Sequence, residues 1–440
     1  MKHWVKALVC VFSLSAYANE NNEHFQQLIN SAHLGDIYAQ LQVANAYSNG
    51  EGVAVDNMKA VMYMSLAADF GSEKAKRILA SLPASQSQAV RELYAESQLK
   101  QHYGYQALST KIYPVIKGKT INIKRPKIQK KSGTASGSRF VGGTVLASSI
   151  YHFDVDTDGR VKDIEIDKNF YTEPFAVANI LEQLSYYVYR PARRKGGNKQ
   201  AVKAFGRRSV WGQKLSMQYL QSSEPKFLKK IKQMKKDAES GEPYAQYQLA
   251  MLSVAFPSLD MGRDIYKTYV KSAAEAGVPE AENEYAYMLM LGFGTNKNSE
   301  EAIQYLLRAA QSGYARAQYK LAREFLSGRA IETDEVKAKF WLEQAAEQGE
   351  QYAQFWLARL LIESDNELLR DPDRAKALLA SVKEQQSYNP NWYYYAASTE
   401  LHYKNKERGL SVLNEGKKLA KNYGWQLNEF NALSEQFEKL

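Results

Sequence analysis

Tyr47-Ser48-Asn49-Gly50-Glu51-Gly52-Val53, followed by Asp56, Lys59-Ala60 and Ala67-Ala68-Asp69-Phe70-Gly71, is the stretch on which the fold turns. Its parts return at a fixed step. Gly35 and Gly71 stand 36 residues apart, and Gly241, Gly277, Gly313 and Gly349 keep the same interval. The pairs Ala273-Ala274, Ala309-Ala310 and Ala345-Ala346 keep it too. Each later glycine is followed by apolar residues at helical spacing: Ala245/Leu249, Ala281/Tyr285, Ala317/Leu321 and Ala353/Leu357. Gly292-Phe293-Gly294 with Glu301-Ala302 repeats the opening stretch in part, as does Gly328 with Ala330-Ile331, Asp334 and Lys337-Ala338. A period of this length marks repeated helix pairs.

Alanine lets two helices approach closely, and glycine ends a helix in the left-handed conformation that other residues resist. One pair cannot bury its own apolar face, so neighbours are expected to stack into a solenoid whose groove holds another macromolecule. The loop Val254 to Asp260 departs from the pattern, so that unit is atypical. From Asn389 the period fades. Trp392-Tyr393-Tyr394-Tyr395, Leu401, Leu410, Leu413 and Leu419 then mark two or three amphipathic helices that close the solenoid's end. These residues resemble the Sel1-like repeat family, relatives of the tetratricopeptide repeats. The resemblance covers 22–100 and 225–385, with capping helices at 386–440, and implies a protein-binding scaffold. A role as a spacer for other parts stays open.

The middle of the chain reads differently. Residues 104 to 145 hold no helical period, so 101–145 is expected to be an extended basic linker, flexible from Ser132 to Gly143. Next, Ile150-Tyr151-His152-Phe153-Asp154-Val155 alternates as a strand, Asp156-Thr157-Asp158-Gly159 turns, and Val161, Ile164 and Ile166 continue as a second strand. Pro174 starts a helix, Val188 to Ala192 leaves it, and Ala201 to Trp211 reads as a last strand. This order, with Tyr189-Arg190-Pro191-Ala192-Arg193 before Gly196-Gly197, resembles the C-terminal domain of TonB-type energy transducers over 146–215. That resemblance implies docking of an extended receptor segment on an edge strand. It points to Tyr189, Arg190, Pro191, Lys203, Phe205, Arg207, Val210 and Trp211 as partner-binding residues, with Lys203 to Trp211 as the docking edge. Such transducers carry a membrane-spanning N-terminal helix, where a cleavable signal is the expectation here. The expected class is mostly α: an α-solenoid of helix pairs flanking a small α+β domain.

Lys2 and Lys6, the apolar run Ala7 to Leu14 and Ala16-Tyr17-Ala18 form a cleavable signal over 1–18. Export to the periplasm is the expectation, and no later segment is apolar enough to span a bilayer. Cys10 is the one cysteine, so the exported chain has no disulfide, thiol nucleophile or cysteine metal site. Residues 101 to 215 hold 21 Lys and Arg against 8 Asp and Glu, so the net +10 of the chain is concentrated there. Arg190, Arg193, Arg194, Lys195, Lys199, Lys203, Arg207 and Arg208 form a basic cluster suited to an anionic envelope surface or an acidic protein face. Export argues against nucleic acid. The 30 tyrosines suit helix packing and binding surfaces alike.

Asp154-Val155-Asp156-Thr157-Asp158-Gly159 to Glu165 fits the calcium-loop spacing, but helices should flank such a loop, and here both flanks alternate like strands. A hairpin is the expectation, with calcium binding left open. No His pair at helical spacing, nucleophile elbow or phosphate loop occurs, and no cofactor is expected. The expected function is a non-enzymatic periplasmic adaptor, which the second resemblance connects to TonB-dependent transport and its outer-membrane receptors. The alternatives are an envelope assembly scaffold whose repeats select the partner, and, least favoured, an enzyme acting on cell wall.

Overall fold

A computed structural model describes residues 23–117, 123–124, 126–130, 147–170, 172, 174–194, 205–212, 217–262 and 264–440. The signal at 1–18, the stretch Ser132 to Gly143 and Lys203 lie outside the described residues. The chain divides into two compact units, Met1–Ile116 with Glu300–Trp341, and Lys117–Ser299 with Leu342–Leu440.

In the first unit the repeat signal becomes a recurring turn. The Gly35 N–H donates to the Ala32 carbonyl and the Asp36 N–H to the Ser31 carbonyl; Gly313 and Tyr314 donate likewise to Ala310 and Ala309. These bonds satisfy the last carbonyls of one helix while the glycine turns the chain into the next. A second element recurs with it. Five residues after the glycine, the buried Gln40 and Gln318 donate through Nε2 to the carbonyls of Ala32 and Ala310, both at 3.1 Å. Gln246 and Gln354 of the second unit do the same to Ala238 and Ala346. Each side chain thus staples the two helices of a pair at their junction.

The helices 23–33, Ile37–Asn49 and Asn57–Asp69 enclose Phe25, Val43, Tyr47, Tyr63 and Leu66, to which Ala84–Glu96 adds Tyr94. The expected linker does not begin at 101. Gln98–Tyr103 and Tyr105–Lys111 are helices, parted at Gly104. Each is too short to display an apolar period, and tertiary contacts hold them. The Tyr105 N–H donates to the Asp69 carboxylate at 2.9 Å, and Leu108 is buried. The chain then runs extended against 331–341. The carbonyls of Ile112, Tyr113 and Val115 accept from Trp341 Nε1, Lys337 Nζ and the Glu332 N–H. The buried Tyr113 hydroxyl donates to the Leu34 carbonyl at 3.0 Å and accepts from Gln311 Nε2 at 2.7 Å.

His33 stacks on Tyr103 with ring centroids 3.7 Å apart and shares a 2.9 Å hydrogen bond with the Tyr63 hydroxyl. Burial lowers its pKa from 6.5 to about 4. The unfolded imidazole takes up a proton near 6.5 and the folded one near 4, so its contribution is full above 6.5 and is lost as pH falls to 4. Allowing for partial exposure, roughly 1–2 kcal/mol of stability is expected to disappear across that window. Urea titrations between pH 7 and pH 4 check this: His33→Phe should flatten that part of the pH slope.

The second unit contains the seven strands of the described residues: β1 (Ile123–Lys124), β2 (Lys127–Lys130), β3 (Ser148–Val155), β4 (Val161–Phe170), β5 (Val188–Arg190), β6 (Arg193–Arg194) and β7 (Phe205–Gly212). β3 is central in the antiparallel order β4-β3-β7, and β1 and β2 pair with β6 and β5 as short ladders. The middle of the expected linker is therefore paired strand, formed with the distant segment 188–194, which local composition does not register. The helix Pro174–Ser185 lays Val177, Ile180, Leu181 and Leu184 on Tyr151, Phe153, Val155 and Val161. The atypical loop has a packing reason: Leu252, Phe256 and Leu259 pack with Phe170 at the end of β4. Three helices, Pro390–His402, Lys406–Asn422 and Asn428–Glu438, end the chain around Leu413, Tyr423, Phe430 and Phe437.

Candidate protein-binding edge

The geometry of the sheet starts at its hairpin. The Gly159 N–H donates to the Asp156 carbonyl at 2.9 Å, and the Asp156 N–H to the Arg160 carbonyl at 3.0 Å. Gly159 has φ +79°, and a Cβ there would lie 2.1 Å from the Tyr189 carbonyl oxygen. Glycine is required because β5 crosses the turn: the Tyr189 N–H donates to the Gly159 carbonyl at 2.8 Å. Strands flank this turn on both sides, and Asp156 is engaged by Lys162 Nζ at 2.6 Å. Among the described residues no cluster of three or more His, Cys, Asp or Glu forms a metal site.

β4 carries two bulges. Between the pairs His152↔Glu165 and Asp154↔Lys162, two residues, Asp163 and Ile164, stand opposite Phe153 alone. Asp163 adopts φ +46°, in the left-handed region. Such a bulge bends the strand and redirects its side chains. Here it turns Asp163 toward the repeats, where Arg359 Nη1 lies 3.9 Å from one carboxylate oxygen and Asn391 Nδ2 3.1 Å from the other. Arg359 also bonds Glu363 at 2.9 Å and lies over the rings of Trp356 and Tyr395. Burial works against its charge, but Tyr395, Glu363 and Asp163 outweigh that and raise its pKa.

Two tyrosines of the repeats bond the outer edge of β4. The Tyr352 hydroxyl accepts from the Ile166 N–H at 2.7 Å, and the Tyr388 hydroxyl donates to the Ile164 carbonyl. Residues two apart on a strand present their backbone groups to the same side, so the two phenols take one N–H and one C=O of the same edge. In this unit Tyr352, Arg359, Tyr388 and Asn391 hold the chain's own strand. Sequence reading missed these four contacts; the excess of tyrosine was the only signal for the two phenols, and it named no position.

β7 lies at the other end of the sheet. It pairs with β3 in continuous register, placing Phe205 opposite Val155, Arg207 opposite Phe153, Val210 opposite Ile150 and Trp211 opposite Ser149. Among the described residues no strand pairs with its far side. The proposed docking residues therefore separate. Phe205, Arg207, Val210 and Trp211 share this edge strand. Arg190 is exposed on β5 opposite Lys127, and Pro191 is half-buried beside it. Tyr189 is corrected: 4% exposed, it packs 5.8 Å from Phe153 in the core, because β5 passes over the turn glycine.

The Sel1 repeat family pattern matches residues 37–72, 279–314, 315–350 and 351–381, passing over the atypical pair that begins after Gly241. A Sel1 repeat protein from Oxalobacter formigenes is 33% identical over 28% of this chain and 94% of its own, with a TM-score of 0.27. A protective antigen present in uropathogenic Escherichia coli strains, displaying an SLR fold, is 14% identical over 94% of this chain and 79% of its own, with a TM-score of 0.38. No curated protein matches. Among the described residues no helix is long and apolar enough to cross a membrane.

Proposed function

The chain belongs to the Sel1-like repeat family, and on that premise we propose that it is a non-enzymatic adaptor of the periplasm that binds a protein partner by strand addition to β7. One observation carries the reading. Of the two end strands in the order β4-β3-β7, the first has one outer N–H and one outer C=O taken by Tyr352 and Tyr388, and among the described residues no strand pairs with the far side of the second. A sheet edge with free N–H and C=O groups is a template for another strand, which gives affinity through the backbone and selectivity through side-chain pockets. The order hairpin, helix, strand supports a TonB C-terminal-like domain in this role, and an outer-membrane receptor segment is the partner class that likeness suggests. The alternative reading is a scaffold whose repeats select the partner.

Photo-crosslinking in intact cells tests the proposal. A photoreactive residue placed at each position of 205–212 is expected to trap a protein partner, with a weaker yield from the exposed faces of 351–363. Crosslinks from the repeat helices with none from 205–212 would overturn it.

A further inference from the structure

We propose that the helix Pro225–Glu239 is a docking ridge for an anionic phospholipid surface. The helix carries six lysines, Lys226, Lys229, Lys230, Lys232, Lys235 and Lys236, against two acids, Asp237 and Glu239. All six lysines are exposed. Lys226, Lys229, Lys232 and Lys236 follow one another at helical spacing, so they share one face over about 15 Å of axis. The opposite face is already used: Phe227, Leu228, Ile231 and Met234 pack in the core around Leu220, Leu249, Leu252 and Phe256. Like charges three or four residues apart destabilise a helix, and this face holds several such pairs. The helix Ile265–Glu275 of the same unit shows the usual remedy, with Lys267 on Asp264 at 2.7 Å and Lys271 on Glu275 at 3.6 Å. On Pro225–Glu239, Lys235 alone meets an acid, Glu239 at 3.9 Å, and the other five lysines have no ion-pair partner among the described residues. The repeat pattern does not call for them either, since its matches at 37–72 and 279–381 leave this helix out.

The chemistry of the ridge chooses the partner. Its cations are all lysine, compact hydrated charges without the planar fork by which arginine grips a carboxylate in fixed geometry. No large hydrophobic residue of 225–239 is exposed. Protein interfaces are depleted in lysine and centre on aromatic or arginine anchors, which this face lacks. A helix that reads bases needs free arginine or amide side chains, and the one amide here, Gln233, is held by Asp237 at 2.8 Å. A layer of anionic headgroups asks only for charge density, which a lysine cluster on an amphipathic helix supplies. With the apolar face committed to the core, the contact is peripheral: lysines meet phosphates and nothing inserts. The ridge shares no residue with β7, and vesicle binding needs no protein partner, so failure here leaves the strand-addition reading standing.

The test is co-sedimentation of the full chain with vesicles of phosphatidylglycerol and phosphatidylcholine, beside vesicles of phosphatidylcholine alone. Binding is expected on the anionic vesicles alone and should fade as salt shortens the screening length. Each basic residue near such a surface strengthens binding about fivefold, so Lys229→Gln with Lys232→Gln and Lys236→Gln should weaken it about 100-fold. Glutamine keeps the helix propensity and removes like-charge pairs, so the melting transition should not fall. Lys229→Arg with Lys232→Arg and Lys236→Arg should bind as the parent does, which ties the loss to charge. Lys267→Gln with Lys271→Gln, which removes two paired lysines of the same unit, should also bind as the parent does. Absence of anionic-vesicle binding, full binding by the Gln triple, an equal loss per charge at Lys267 and Lys271, or preference for duplex DNA or polyglutamate over vesicles in competition would each overturn the proposal.

Discussion

Gly35→Ala is expected to destabilise the first unit by about 3–5 kcal/mol, and Gly71→Ala, at nearly the same backbone angle, by about 1–2 kcal/mol. The two glycines have φ of +98° and +97°, so the left-handed penalty of an L residue is common to both. Their surroundings differ. A Cβ on Gly71 meets nothing within 4 Å, but on Gly35 it would lie 1.9 Å from the Tyr113 hydroxyl and 2.6 Å from the Phe70 ring. The substitution therefore displaces a buried phenol from the Leu34 carbonyl and from Gln311, leaving those groups unpaired. Urea denaturation of the two variants measures the difference. Adding Tyr113→Phe to Gly35→Ala removes the nearest clashing atom and should recover part of the loss, a non-additivity that an effect of backbone strain alone would not show.

Arg359→Met should cost about 1–3 kcal/mol, because it removes one partner of a half-buried charge cluster and leaves the buried Asp163 carboxylate without its guanidinium. Asp163 is 8% exposed at the side chain, sits in the left-handed region and faces Arg359 Nη1 at 3.9 Å. Glu363 would keep the Tyr395 hydroxyl at 2.7 Å but lose its guanidinium. Met retains much of the packing against Trp356, so the loss reports mainly on charge. Asp163→Asn removes the stranded carboxylate and tolerates positive φ, so the double variant should cost less than the sum of the singles. Thermal denaturation of the four proteins closes this cycle. Strict additivity would mean that Arg359 and Asp163 do not interact.

The repeats were legible because their signal is local: a glycine that must take positive φ and alanines that must sit at a helix junction recur every 36 residues. The hairpin was legible for the same reason, since Asp156 to Gly159 encode the turn themselves. What the sequence hid is non-local. Lys127 meets Arg190 only after the chain has folded, so a basic stretch with no period reads as linker when it is half of a ladder. Tyr189 reads as a surface aromatic beside arginine until β5 is placed over Gly159. The phenols of Tyr352 and Tyr388 look like repeat filler, and their work on β4 depends on a bulge at Asp163 that no residue pattern announces.

The arrangement accounts for how a repeat protein can carry a small sheet in mid-chain without exposing two templates for aggregation. Two phenols of the repeats bond one edge, and on the proposed reading the other edge takes a partner strand.

Amide hydrogen exchange, read residue by residue with and without the crosslinked partner, tests that division most directly. Partner binding is expected to slow exchange within 205–212 and to leave the Ile166 amide, bonded to Tyr352, as slow as in the free protein. Faster exchange at Ile166 on binding, with 205–212 unchanged, would mean that the partner takes the place of β4 on the repeats, and would contradict the account.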